Sequence, residues 1–329
     1  MGIYHNKKIL VTGGTGTIGN HLIKHLLKDN PQVIRVFSRD EYKQYEMGLQ
    51  FKEHSSKLRF LIGDVRDQSR LIRAMEDIDY VFHLAAMKHV PFCEYNPFEA
   101  VQTNVIGTQN VIQAAIMNNV EKVLFTSTDK AISPTNTYGA TKLTGERLIL
   151  AAEYQKGSKK TTFSAVRFGN VMGSRGSVIP LFHKQINEGQ NITITDPKML
   201  RYMMTPTQAI ELILEANEIA KGGEVFVLKM PVIRVGDLAE GMIELMNEKS
   251  GGRVCSNIEY IGLRPGEKQF EELMTLDEQT IVLEKENMYI IPSIFKFRNA
   301  EESKPLIDLE MKPVSKETIK QWLVEESLV

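Results

Sequence analysis

The 329-residue sequence holds two cysteines, Cys93 and Cys255, and one tryptophan, Trp322. Two thiols cannot build a disulfide scaffold or, alone, a multi-thiolate metal site, so the chain reads as intracellular. No stretch approaches the roughly 18 consecutive apolar residues of a spanning helix, so no membrane insertion is expected. Met1 to Lys8 is short and polar, and the apolar run after it ends in glycines, without a signal-peptide core. A cytoplasmic location is the expectation. Neither sign of charge is in excess: 40 Lys+Arg face 41 Asp+Glu, a net charge of -1. Nothing in that balance calls for nucleic acid as a bulk electrostatic partner. Repeats and low-complexity tracts are absent. His83, His89, Cys93 and Glu94 cluster in sequence, but their spacing is irregular for a closed zinc site and no metal is expected.

What is present is a foldable core. Hydrophobic residues make up 42% and charged residues 25%, which excludes general disorder and suits one large or two modest domains. Short apolar strands at Lys8 to Thr12, Val33 to Ser38, Leu58 to Ile62, Tyr80 to Leu84, Val120 to Ser127 and Thr161 to Arg167 alternate with helical spacing. The helices are expected at Ile18 to Leu27, Arg70 to Met75, Pro97 to Met117 and Tyr138 to Tyr154. That rhythm predicts an α/β fold, a doubly wound parallel sheet of Rossmann type. Residues 1–171 form the expected dinucleotide-binding domain, with a returning segment at about 205–227. Residues 172–329 form a smaller α/β substrate region. The last 50 or so residues carry little recognisable signal.

Gly13, Gly16 and Gly19 lie between the first strand and the first helix. This spacing gives a tight turn, a bare backbone for a pyrophosphate and a helix N-terminus aimed at the anion. An ordinary glycine-rich turn has the same letters, but the strand–turn–helix placement favours a dinucleotide. Ser38, Arg39 and Lys43 at the end of the second strand suit a 2′-phosphate and favour NADP; Asp40 is the counterargument, since it could face a free ribose. Asp64 could hold the adenine edge or cap the next helix. The expected cofactor contacts are Gly13, Thr15, Gly16, Thr17, Ile18, Gly19, Ser38, Arg39, Lys43, Asp64, Val65, Ala85, Ala86, Lys88, Tyr138 and Lys142.

Tyr138 and Lys142, four residues apart, share a helix face. A lysine ammonium beside a phenol can lower a pKa that starts at about 10. Thr128, Asp129 and Lys130 close the preceding strand. Dehydrogenation alone needs the tyrosine, the lysine and a hydroxyl. Asp129 and Lys130 add a second acid/base pair, which an elimination requires; Asp129 would then be shifted upward and Lys130 downward. A strand-end ion pair is the plain alternative.

These motifs resemble the extended short-chain dehydrogenase/reductase family. With Ala85 to Pro91, Ser127 to Ala131, Tyr138 to Lys142, Gly169 to Val171, Gly173 to Val178 and Arg264 to Lys268, the sequence is closest to soluble, C5-inverting UDP-N-acetylglucosamine 4,6-dehydratases of pseudaminic acid and polysaccharide pathways. The resemblance implies C4 oxidation with Tyr138 taking the O4 proton, then removal of the C5 proton by Lys130 and protonation of O6 by Asp129. Thr128 would polarise the O4 region. It also implies hydride return to C6, a homo-oligomer from dimer to hexamer, and substrate contacts from Lys88, Asn170, Arg175, Arg201, Arg264 and Glu267. C5-retaining relatives usually carry methionine where Tyr138 stands, which leans this chain toward inversion. A 5,6-ene-releasing dehydratase, an epimerase or reductase of the same fold, and a non-catalytic dinucleotide-binding regulator remain as alternatives.

Overall fold

The computed structural model describes residues 2–252, 256–263, 267–293 and 311–329. The strands are β1 (Lys8–Thr12), β2 (Val33–Ser38), β3 (Leu58–Ile62), β4 (Tyr80–His83), β5 (Lys122–Thr126), β6 (Thr162–Arg167), β7 (Asn170–Val171), β8 (Ile192–Ile194), β9 (Leu200–Met204), β10 (Val225–Leu228), β11 (Val232–Arg234), β12 (Ile258–Tyr260), β13 (Leu283–Glu284) and β14 (Met288–Ile291). The helices are α1 (Thr17–Leu26), α2 (Glu41–Gln50), α3 (Gln68–Met75), α4 (Val90–Tyr95), α5 (Pro97–Val101), α6 (Gly107–Met117), α7 (Thr137–Gln155), α8 (Val178–Asn187), α9 (Pro206–Ile219), α10 (Val235–Ser250), α11 (Leu276–Ile281) and α12 (Lys316–Glu325).

Among the described residues the main sheet has nine strands in the order β13-β14-β10-β6-β5-β4-β1-β2-β3. Strands β1 to β6 and β10 run parallel, and β14 and β13 close the edge antiparallel. The central strands are apolar on both faces, as in Ile9-Leu10-Val11 and Val123-Leu124-Phe125, because helices cover both sides. The order in which successive strands are added reverses between β1 and β4, which opens a crevice at the carboxyl ends of the parallel strands. A second hydrophobic cluster, with Phe182, Ile233, Met242 and Leu323, joins α8, the small strands, α10 and α12.

Two expectations are corrected. The helix expected at Pro97 to Met117 is interrupted by a π-helical turn at Gln102–Ile106, so it runs as α5, that turn and α6. The extra residue turns the buried Asn104 side chain inward, where it holds the Met87 backbone on both sides (2.8 and 2.9 Å) and donates to Thr141 Oγ1 (3.0 Å). Helix α2 was not expected; Asp40 caps it by accepting from the Lys43 N–H. Among the described residues no helix is long and apolar enough to cross a membrane.

Candidate active site

The glycine turn lies at the crevice. Gly13 has φ +68°, and a Cβ there would stand 2.8 Å from the Ala85 backbone. The turn is therefore pressed against the loop after β4, which carries Ala85 and Ala86, and only a bare backbone fits. Gly16 is the N-cap of α1 and supplies no side-chain cap, so the first N–H groups of the helix are left for a ligand. A Cβ on Gly19 would lie 2.4 Å from the Gly14 carbonyl oxygen, so α1 packs directly on the turn. Ile18 packs against the core, and Val65 is buried behind the same crevice. The cradle fits a dinucleotide pyrophosphate.

Around it, Thr15 Oγ1 and Ser38 Oγ are hydrogen-bonded at 2.8 Å. Arg39 lies 3.5 Å from Asp64, and Lys43 is paired with Asp40. Asp64 also accepts from Arg66 Nε (2.9 Å) and Nη2 (2.8 Å). Burial pushes its carboxyl up, but the Arg66 bonds and charge hold it below the usual range. The cap of α3 is Asp67, which accepts from the Arg70 N–H.

The candidate acid/base groups sit at the end of β5. Thr128 caps a short turn, Asp129–Ala131, with its side chain. Its hydroxyl donates to Asp129 Oδ1 (2.8 Å), which also accepts from the Lys130 N–H (2.8 Å) and faces Lys130 Nζ at 3.2 Å. Asn136 caps α7 by accepting from the Gly139 N–H at 2.9 Å. A Cβ at Gly139 would come within 2.1 Å of the Lys130 carbonyl, so glycine beside Tyr138 lets α7 press onto the turn. Tyr138 thereby reaches Thr128.

The ionisation differs from the sequence expectation. Burial pushes Asp129 up, but Lys130 and its hydrogen bonds hold it below the carboxylate range. Lys130 is raised: burial pulls it down, and Asp129 and Glu271 more than offset that. The expected upward Asp129 and downward Lys130 are thus reversed, because the two charges neutralise each other in a buried site. Tyr138 is pushed up to about 12 by desolvation, against the pull of Lys130 and Thr128. Lys142 donates to the Thr126 carbonyl, stacks 3.9 Å from the Phe125 ring and falls to about 7 through burial. Lys130 is a cation that draws the Tyr138 phenol down.

A cleft of about 360 Å³ runs over this turn, lined by Lys88, Asp129, Lys130, Asn170, Arg201 and Glu267 among others. Asn170 donates to the Tyr202 carbonyl (3.2 Å) and to Glu271 Oε2 (3.3 Å). Arg201 holds the Lys268 and Gln269 carbonyls and lies 3.5 Å from Glu267. Arg175 reaches the cofactor turn instead: its N–H donates to Thr17 Oγ1 (3.2 Å) and its guanidinium to the Thr15 carbonyl. Arg264 lies outside the described residues. Sequence reasoning missed Glu271, buried against Lys130 but written as one glutamate in a charged run, and missed the clamp formed by Asn104. His83 is a buried link between Thr12 (2.7 Å) and Thr108 (3.0 Å), with burial lowering its pKa to about 3.

A family model described as polysaccharide biosynthesis protein matches residues 9–293. The chain belongs to that family. Its relatives include nucleotide-sugar dehydratases and epimerases. A UDP-N-acetylglucosamine 4,6-dehydratase (inverting) of Campylobacter jejuni is 43% identical over 90% of this chain and 85% of its own. An uncharacterized membrane protein of Methanocaldococcus jannaschii is 52% identical over 88% of this chain and 86% of its own. A UDP-glucose 4-epimerase of Rickettsia bellii is 42% identical over 88% and 84%. The X-ray structure of Pen from Bacillus thuringiensis is 55% identical, covers 98% of both chains and superposes with a TM-score of 0.91. MoeE5 in complex with UDP-glucuronic acid and NAD is 25% identical over 80% of this family member and 88% of its own chain, with a TM-score of 0.64.

The expectation of NADP is corrected. MoeE5, at 25% identity, is solved with NAD bound. The physical reason lies in the pairing: Arg39 and Lys43, read as 2′-phosphate ligands, are engaged by the carboxylates of Asp64 and Asp40.

Proposed function

We propose that this chain is an NAD-dependent, C5-inverting UDP-N-acetylglucosamine 4,6-dehydratase. The observation that carries the reading is the second acid/base set, Asp129 with Lys130, opening into the cleft beside Thr128 and Tyr138. An epimerase needs the tyrosine and hydroxyl but has no use for that set. The name of the Campylobacter relative supports the substrate and the inversion.

The turn at Gly13, Gly16 and Gly19 would hold the pyrophosphate of NAD, which when bound would supply a two-electron hydride acceptor and donor for the sugar. Tyr138, a neutral phenol at rest, is the group that accepts the O4 proton once ionised. Thr128 holds O4 and the ketone oxygen that replaces it. The ketone acidifies the C5 proton. Lys130 as amine removes it, and Asp129 as acid protonates O6, so water leaves and a C5–C6 double bond forms. Reprotonation of C5 on the opposite face gives inversion. Lys88, Asn170, Arg201 and Glu267 are the proposed cleft contacts to the nucleotide-sugar, and Arg175 bridges cleft and cofactor turn.

Residues 1–171 with about 205–227 would serve the cofactor and the remainder the sugar nucleotide. A homo-oligomer is supported by the exposed apolar side chains Phe92, Tyr95, Phe98 and Ile106 along α4 to α6. A cytoplasmic site of action matches the nucleotide-sugar chemistry. Incubation with UDP-N-acetylglucosamine and catalytic NAD, without reductant, tests the reading: the expected product is a 6-deoxy-4-keto sugar, and C4 epimer alone would favour the epimerase.

A further inference from the structure

The Asp129–Lys130 pair has a third member. Glu271, 7% exposed, reaches it from the segment after Glu267. Its Oε1 accepts from Lys130 Nζ at 2.8 Å, and its Oε2 from Asn170 Nδ2 at 3.3 Å. Arg201 Nε stands 3.6 Å from Oε1, and the Tyr202 phenol senses the same charge. On the other carboxyl, Asp129 Oδ1 takes the donors of Thr128 and Lys130. Asp129 Oδ2 is buried, and among the described residues no amide, hydroxyl or ammonium donates to it. Asp129 and Glu271 are buried carboxyls that share Lys130, and like charges so placed favour a proton on one of them.

We propose that Glu271 carries this proton in the resting enzyme and acts as the positioning residue that allows Lys130 and Asp129 to become base and acid. The proposal rests on the dehydratase reading above and deepens it. Proton accounting shows why. Three groups, Asp129, Lys130 and Glu271, share two protons at rest: one on Lys130, one on Glu271. Asp129 is ionised and the trio is neutral. Moving one proton from Lys130 Nζ to Asp129 Oδ1, 3.2 Å apart, gives a free amine and a neutral acid without changing the total charge. Elimination then reverses the transfer. The C5–H bond breaks to Lys130, the C5–C6 double bond forms, and the C6–O bond breaks as Asp129 delivers its proton to the departing water.

An ionised Glu271 would block this. Lys130 would face two carboxylates, and removing its proton would leave a buried anion at 2.8 Å with only the more distant Arg201, at 3.6 Å, against it among the described residues. Burial, chiefly, and the neighbouring Asp129 raise Glu271 to about 7, against the pull of Lys130 and Arg201. The site is therefore competent below that pH and closes above it.

Infrared difference spectroscopy of the full-length protein reads the proton directly. Wild type is expected to show a buried carboxylic acid C=O band that disappears as pH rises through about 7, and Glu271→Gln to lack it. A band that persists in Glu271→Gln, or a wild type with no such band, overturns the proposal. Turnover of UDP-N-acetylglucosamine with NAD, followed by NMR, gives the second readout. In wild type, C6-methyl formation should fall about tenfold per pH unit on the alkaline side while KM holds. Glu271→Gln, permanently neutral, should lose that alkaline limb; an unchanged limb contradicts the role. A wild type that forms no C6 methyl at any pH sinks the dehydratase reading instead, and the infrared band still decides where the proton resides.

Discussion

Arg167 and Glu278, 111 residues apart, form a buried bidentate pair: Nη1 lies 2.9 Å from Oε2 and Nη2 3.1 Å from Oε1. The same guanidinium reaches Glu146 Oε1 at 2.7 Å and the Leu273 carbonyl at 2.9 Å. One side chain from β6 thus joins α7, which carries Tyr138, to the segment that carries Glu271. The arrangement fixes the two sides of the cleft. Removing the guanidinium strands two buried carboxylates, so Arg167→Ala should cost about 3–5 kcal/mol. Arg167→Lys should recover only part, because a lysine cannot make the two-pronged bond. Urea unfolding of the variants checks both.

Lys142 gives a stability–pH prediction. Burial lowers its pKa from 10.5 to about 7, so between those values the unfolded chain binds more protons than the folded one. Stability from this group is present at high pH and is lost as pH falls through about 10.5 toward 7. Lys142→Met should flatten that slope and raise the melting temperature most at neutral pH. A slope equal to that of wild type in thermal melts across this range would show that Lys142 is not buried as described.

The cofactor correction is measurable by calorimetry. NAD should bind more tightly than NADP, because Arg39 and Lys43 are already paired with Asp64 and Asp40. Gly13→Ala should abolish binding of either, since φ +68° and an Ala85 backbone 2.8 Å from the new Cβ leave it no room. Tighter binding of NADP would show that these pairs open to receive a 2′-phosphate.

The two halves of the proposed reaction can be separated. Lys130→Met and Asp129→Asn should lower elimination by roughly 10²–10⁴ while leaving cofactor binding intact. Transient reduced nicotinamide, seen by absorbance with UDP-N-acetylglucosamine, should survive in Asp129→Asn. Equal loss of both halves would assign these residues to binding.

Much of this was legible in the sequence where local chemistry decides. The strand–glycine–helix order around Gly13 and the 3.6-residue apolar spacing in α1 need no distant partner. The rest depended on what those elements meet. Asp40, read as a possible ribose ligand, caps an unforeseen helix whose large side chains Tyr42, Tyr45 and Leu49 lie exposed, while Gln44 and Met47 are the ones it buries. Asn104 sits in a stretch that reads as one long helix, and nothing local marks the π-turn that aims it at Met87. Tyr138 and Lys142 share a helix face, but that the Lys142 ammonium also meets the Thr126 carbonyl and the Phe125 ring depends on β5 and is not written in the spacing. Glu271 lies 141 positions from Lys130, and only the packed structure turns a glutamate in a charged run into a buried neighbour.

The central claim is elimination across C5 and C6, and NMR of the purified protein in D2O with UDP-N-acetylglucosamine and catalytic NAD tests it most directly. The account predicts a 4-keto sugar with a new C6 methyl, deuterium at C5 and ring couplings of the C5-inverted product. A C6 hydroxymethyl left intact, with or without epimerisation at C4, would contradict it.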